Sequence, residues 1–166
     1  MNKPILGLMS AGLLAFAAAQ ASAATSAQDN TFVTKAAQGG LAEVEQAQMA
    51  QQKSSSNDVK QFAQMLATDH TQSNEELQQI AQQQNLKLRS GEARAERAED
   101  QKLRGLSGSA FDQAYVQHEV QDHQQTIADF RKEAQSGENP ALKEFAQKNI
   151  PVLEKHLQMA ESLSRK

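Results

Sequence analysis

The chain has 166 residues, with 17 Lys and Arg against 20 Asp and Glu for a net charge of −3, and it contains neither cysteine nor tryptophan. A mildly acidic balance excludes nucleic acid as the main partner, because phosphate binding needs clustered Lys and Arg. Without cysteine there is no disulfide to staple the fold and no thiol to lipidate, so stability must come from packing.

Residues 1–23 read as a cleavable signal peptide. Lys3 precedes an apolar run from Ile5 to Ala19, and Ala21-Ser22-Ala23 supplies the small-x-small pattern that signal peptidase reads. The run falls short of the roughly 20 apolar residues that a transmembrane helix needs. Cleavage after Ala23 removes Lys3, leaving 16 basic against 20 acidic residues, and no later stretch offers a transmembrane anchor. Residues 24–166 suit a single domain. The expected location is the periplasm, with outer-membrane association left open.

Val33, Ala36, Ala37, Gly40, Leu41, Val44 and Ala47 recur at steps of three and four, which predicts a helix over 27–53. Ser54-Ser55-Ser56-Asn57 favours a turn, with Asn57 opening a second helix over 58–84 that carries Val59, Phe62, Ala63, Leu66, Leu77 and Ile80 on one stripe. The tract Gln78 to Gln84 reads as a solvated face of that helix. Between Gly91 and Arg104 charges of both signs alternate with little apolar material, the pattern of a short solvated connecting helix. Ser107-Gly108-Ser109 caps a third long helix over 110–136, marked by Phe111, Val116, Val120, Ile127 and Phe130 and stopped by Gly137 in the left-handed conformation. Asn139-Pro140 opens a fourth over 140–164, with Leu142, Phe145, Ala146, Leu153, Leu157, Ala160 and Leu163 on its apolar face. Val59-Lys60-Gln61-Phe62-Ala63-Gln64 is echoed by Leu142-Lys143-Glu144-Phe145-Ala146-Gln147, a weak internal repeat. With no strand-period run, the fold class is all-α: an antiparallel four-helix bundle with a longer, partly helical connection between helices two and three.

Asp69-His70 and Asp122-His123 place the same dipeptide on helices two and three, seven and eight residues beyond Phe62 and Tyr115. At 3.6 residues per turn His70, His123 and His156 all fall on apolar stripes near the middle of their helices. Glu43 sits at the same height on helix one, following Ala36 and Gly40, whereas Glu45 points away and His118 lies off the stripe. Three imidazoles and a carboxylate in a hydrocarbon core must be satisfied, since each unpaired polar group there costs roughly 1–3 kcal/mol. One solution is a divalent transition metal (Zn, Fe, Mn or Cu) on Glu43, His70, His123 and His156, with Asp69 and Asp122 as outer acceptors or extra ligands. The other is a hydrated polar layer that fixes helix register. Pro151 removes the hydrogen bond to the Gln147 carbonyl and bends the fourth helix. Tyr115 is expected to pack with its hydroxyl at the bundle surface.

The combination Glu43-x-Glu45, Phe62-Ala63-x-Met65-x3-Asp69-His70-x3-Asn74-x2-Leu77, Phe111-Asp112-x2-Tyr115, Asp122-His123 and Ala146-x4-Pro151-x4-His156 resembles the exported bacterial "domain of unknown function 4142" family, predicted outer-membrane or periplasmic proteins. The resemblance spans the chain after the signal and implies a ferritin-like fold and an envelope compartment. Ferritins and di-iron oxidases use paired Glu-x-x-His motifs. Here Ala67, Val120 and Leu153 stand three residues before the histidines, so ferroxidase or iron-storage chemistry is not implied. No nucleophile with an adjacent base and no phosphate-cradling glycine loop points to a hydrolase or nucleotide enzyme. The expectation is a non-enzymatic periplasmic helical bundle whose Glu/His layer is either a divalent-metal site or a structural polar network, serving envelope maintenance or stress response, with an envelope protein as candidate partner. The alternative is a redox or peroxide-handling metalloenzyme using the same layer.

Overall fold

The computed structural model describes residues 25–88 and 94–165. The signal peptide predicted over 1–23 and the start of the connecting helix predicted from Gly91 lie outside the described residues. Five α-helices follow in chain order: α1 (Ala27–Lys53), α2 (Asn57–Gln84), α3 (Arg94–Arg104), α4 (Gly108–Ser136) and α5 (Pro140–Ser164). No strand occurs among the described residues, and no described helix is long and apolar enough to cross a membrane.

The long helices pack as two hairpins, α1 with α2 and α4 with α5, and the hairpins meet along α1–α4 and α2–α5. Phe32 near the start of α1 contacts Phe130 near the end of α4 and Phe145 near the start of α5, while Phe62 and Tyr115 meet near the starts of α2 and α4. α2 and α4 are therefore parallel and diagonal. The chain leaving α2 must return the length of the bundle, about 40 Å for a helix of this size, before α4 can begin, and that return is what the long connection does.

Local chemistry sets the helix ends. At α1 Ser26 and Asp29 form a reciprocal capping box, the Ser26 hydroxyl accepting from the Asp29 N–H and the Asp29 carboxylate from the Ser26 N–H. The cap of α2 is Ser56, whose hydroxyl accepts from Val59 N–H, and Asn57 is already helical. The left-handed stop predicted at Gly137 occurs instead at Asn85, φ 55°, which closes α2 with Leu86 N–H donating to the Ala81 carbonyl. Gly137 is extended, φ −62°. Glycine is needed there for space, because a Cβ would stand 2.7 Å from the Glu133 carbonyl oxygen. Asn139 caps α5 by accepting from the N–H groups of Ala141 and Leu142.

α3 is more than a solvated connector. Leu103 is fully buried in the apolar cluster shared by α1, α2, α4 and α5, and Lys53 at the end of α1 donates to the carbonyls of Arg104 and Leu106. The sparse apolar content of the segment hid a single anchor.

At the far end of the bundle α1 is tied to the α4–α5 turn through two buried carboxyls, Asp29 and Glu133. Asp29 accepts from Glu138 N–H at 3.0 Å, and Gln28 donates to Glu133. Burial pushes the Glu133 carboxyl up to about 7, helped by its hydrogen bond to Asp29 and opposed by Gln28 and Lys143. A carboxyl raised in the folded state binds its proton more tightly there. Its contribution is complete below the unfolded value of 4.5 and is lost as pH rises through 7. Thermal melts at pH 5, 6.5 and 8 should therefore show Glu133→Gln gaining on the wild type as pH rises, at roughly 3–5 °C per kcal/mol; parallel pH profiles would disprove the shared proton. Gly137→Ala should lower the melting temperature at every pH by the equivalent of about 1–2 kcal/mol.

Candidate metal centre

The bundle core is divided in two. One apolar cluster is built around Phe62, Leu66, Phe111 and Tyr115, the other around Phe32, Leu77, Phe130 and Phe145. Between them, at mid-height, lie Glu43 and Gln46 from α1, His70 from α2, Glu119 and His123 from α4 and His156 from α5, all buried. Each faces inward because at least one neighbour three or four residues away belongs to one of the two apolar clusters.

The three imidazoles form a nearly equilateral group, with ring centroids 5.7, 5.4 and 5.3 Å apart. One ring nitrogen from each lies within 4.8 Å of the others. Their outer edges are held by acceptors. His123 Nδ1 sits 3.0 Å from the Glu119 carbonyl oxygen, and His156 Nε2 sits 2.9 Å from Asp69 Oδ2. A carbonyl and a carboxylate only accept, so these two nitrogens carry the protons. His123 Nε2 and His156 Nδ1 are then lone pairs, and they face each other at 3.3 Å. His70 Nε2 has no hydrogen-bond partner.

All three rings are neutral at pH 7. Burial pushes His70 well below its usual value, with His123 and His156 adding to the effect. Burial likewise takes His123 down to about 4, against the opposing pull of Asp122. Burial also lowers His156, despite its bond to Asp69. Burial thus disfavours the charged form that would supply a bridging proton between His123 and His156.

Glu43 meets the histidine group only at its edge, with Oε2 4.0 Å from His70 Nε2. Its carboxylate converges instead with Glu119 and His123, ligand atoms again within 4.8 Å of one another. Burial, Glu119 and Asp122 together push its carboxyl well above the usual range. Of the two aspartates, Asp69 is the acceptor for His156, whereas Asp122 lies beside Glu43 and accepts from Thr126 at 3.3 Å. His118 is half-buried, outside the group.

Glu119 was not singled out from the sequence, although its signal is present: it stands four residues before His123, so both point the same way on α4. Tyr115, one further turn back, corrects the expectation of a surface hydroxyl. It is fully buried, stacked on Phe111, and burial with Glu119 and Glu43 nearby pushes its phenol well above 10.0.

A cavity of about 60 Å³ opens beside the layer, between His70, His156, Asp69 and Asn74 on one side and Phe32 and Leu77 on the other. Gly40 in its wall lets α1 close onto α2, since a Cβ there would collide with the Asn74 side chain. That exceeds the roughly 10–15 Å³ needed to hold one water, so the cavity has room for a small molecule of water's size beside two of the rings.

Neither the curated proteins nor the solved structures include a match to this chain. A family profile does match, over residues 14–163, nearly the whole sequence. The chain belongs to the family described as Domain of unknown function (DUF4142).

Proposed function

We propose that this protein is an exported, periplasmic metal-binding bundle that holds one divalent transition ion on His70, His123 and His156 and serves envelope maintenance or stress response. The facing lone pairs of His123 Nε2 and His156 Nδ1, 3.3 Å apart, carry the reading. Two neutral acceptors at that distance repel unless something electron-poor lies between them. With Zn–N bonds of about 2.0–2.1 Å, two ligands at the tetrahedral angle stand about 3.3–3.4 Å apart. Neutral imidazoles suit Zn and Cu best and Fe less tightly. Asp69 on His156 and the Glu119 carbonyl on His123 are the outer acceptors that such sites use to fix tautomer and ring orientation. The N-terminal run with its Ala21-Ser22-Ala23 site supports export, and the envelope role extends from that location.

Titration of the metal-free protein with Zn²⁺ should give an equivalent that is lost in His70→Ala, His123→Ala and His156→Ala alike. Zn²⁺ at 100 times its Kd should raise the unfolding free energy by about 2.7 kcal/mol. Asp69→Asn should keep the site but weaken it about 10–100-fold, because a neutral amide oxygen accepts the His156 Nε2 proton less strongly than a carboxylate does. A wild type that neither binds Zn²⁺, Cu²⁺ or Fe²⁺ nor is stabilised by them leaves the layer as a register-fixing polar network.

The cavity at His70 and His156 favours one second reading, redox or peroxide handling at the same ion. It predicts that Cu- or Fe-loaded protein consumes hydrogen peroxide faster than the same metal in buffer. Narrowing the cavity with Ala36→Leu, at a residue that lines it, should then slow the reaction while leaving the bound metal in place. Turnover no faster than the free ion would leave only the binding role.

A further inference from the structure

We infer that residues 27–38 of α1 form a gate over the three imidazoles, which opens about a hinge at Gly39–Gly40 and so admits the ion, an inference that rests on the metal-binding reading above. The rings need an entrance, because His70, His123 and His156 are only 8%, 0% and 1% exposed. The cavity beside His70 and His156 marks the way in, and α1 supplies one of its walls with Phe32, Lys35, Ala36, Gly39 and Gly40.

Among the described residues, Gly39 and Gly40 are the only glycines in the interior of a helix. Glycine there costs helix stability relative to alanine, and only one of the two positions has a steric reason for it. Gly40 is needed for space against Asn74, whereas a Cβ on Gly39 would meet nothing within 4 Å. What Gly39 supplies is therefore backbone freedom, at the join between two halves of α1 that are held differently. Beyond the join, Ala47, Met49 and Ala50 are fixed in the cluster around Phe62, and Lys53 donates to the carbonyls of Arg104 and Leu106. Before it, the polar ties to the rest of the bundle are few. Lys35 donates to Asp129 at 2.8 Å, both residues lining the cavity; Asp29 accepts from Glu138 N–H; and Gln28 reaches Glu133 and the Lys132 carbonyl at 3.4 Å. Phe32, Val33 and Ala37, buried in the other cluster, keep the gate shut, so opening is a rare excursion. A segment this short, released from its neighbours, is marginal as a helix, so the gate unravels as it opens.

The test follows stopped-flow uptake of Zn²⁺ by the metal-free protein and its release to EDTA. Gly39→Ala should slow both about fivefold, the preference of a helix for alanine expressed as a rate, with an unchanged Kd and a higher melting temperature. Asp29→Ala, which removes a tie at the tip of the gate, should speed both about fivefold. Leu103→Ala weakens the opposite end of the bundle and should leave both rates as they are. Rates unmoved by Gly39→Ala overturn the gate, and so does Leu103→Ala speeding exchange as much as Asp29→Ala, which would mean entry by global unfolding. Native-state hydrogen exchange reads the hinge without metal: amides of 30–38 should exchange faster than those of 44–52, and about fivefold more slowly in Gly39→Ala than in the wild type. Equal exchange in the two halves overturns the gate even where Zn²⁺ binds. Exchange as expected in a protein that takes up no Zn²⁺ would confine failure to the metal-binding reading.

Discussion

A polar layer buried at mid-height, three neutral imidazoles beside two carboxylates, is the constraint on which the rest of this bundle depends. Hydrocarbon packing alone leaves four helices free to exchange one well-packed register for another, because Leu, Val and Ala stripes interdigitate in several ways. Polar groups with directional needs do not allow this. Moving α5 by one residue would rotate His156 by about 100°, take it off Asp69 and leave a buried nitrogen facing hydrocarbon. The two apolar clusters on either side supply the free energy, and the layer supplies the address.

That division explains several otherwise unrelated features. The aromatic residues fall into two groups on either side of the layer: Phe32, Phe130 and Phe145 pack together on one side, Phe62, Phe111 and Tyr115 on the other. Small residues mark where helices must approach closely, Gly40 against Asn74 and the fully buried Ala63 and Ala146 that occupy equivalent places in the repeated Phe-Ala-Gln segments of α2 and α5. Because α2 and α4 run parallel on the diagonal, the connection must travel the whole bundle, and Leu103 with the Lys53 contacts secures its return. The capping chemistry at Ser26, Ser56 and Asn139 closes helix ends that the layer alone would not fix.

Much of this was legible in the sequence. The 3.6-residue period and the Ser and Asn-Pro signals separate four long helices, and the same period puts His70, His123 and His156 inward, since each shares its stripe with Phe or Leu. Signals that depend on partners in other elements were not legible. Glu119 sits beside Val120 on α4 and reads as an ordinary charged residue until α1 brings Glu43 against it. Tyr115 carries a polar tip that usually seeks water, and only the packed core shows it turned inward. Gly137 stops α4 by making room for the Glu133 carbonyl, a steric reason that a one-dimensional pattern cannot distinguish from a left-handed cap. Leu103 is one apolar residue in a charged stretch, too few for periodicity to register and enough to anchor a short helix.

A polar layer that served register alone would pair donors with acceptors, as Ser26 and Asp29 do at the start of α1, and the outer edges of His123 and His156 follow that rule on the Glu119 carbonyl and Asp69. Their inner edges do not. The outer acceptors draw both protons outward, so the same bonds that orient the rings also strip this edge of donors, leaving His123 Nε2 against His156 Nδ1. Exchanging Asp69 for a donor would relieve the conflict at no cost in register, since His156 could then turn its proton inward to His123. The arrangement instead concentrates electron pairs on one point in a low-dielectric interior where a cation is the complementary charge. Fixing register explains that the rings are buried; it does not by itself explain why both acceptors lie on the outer edges.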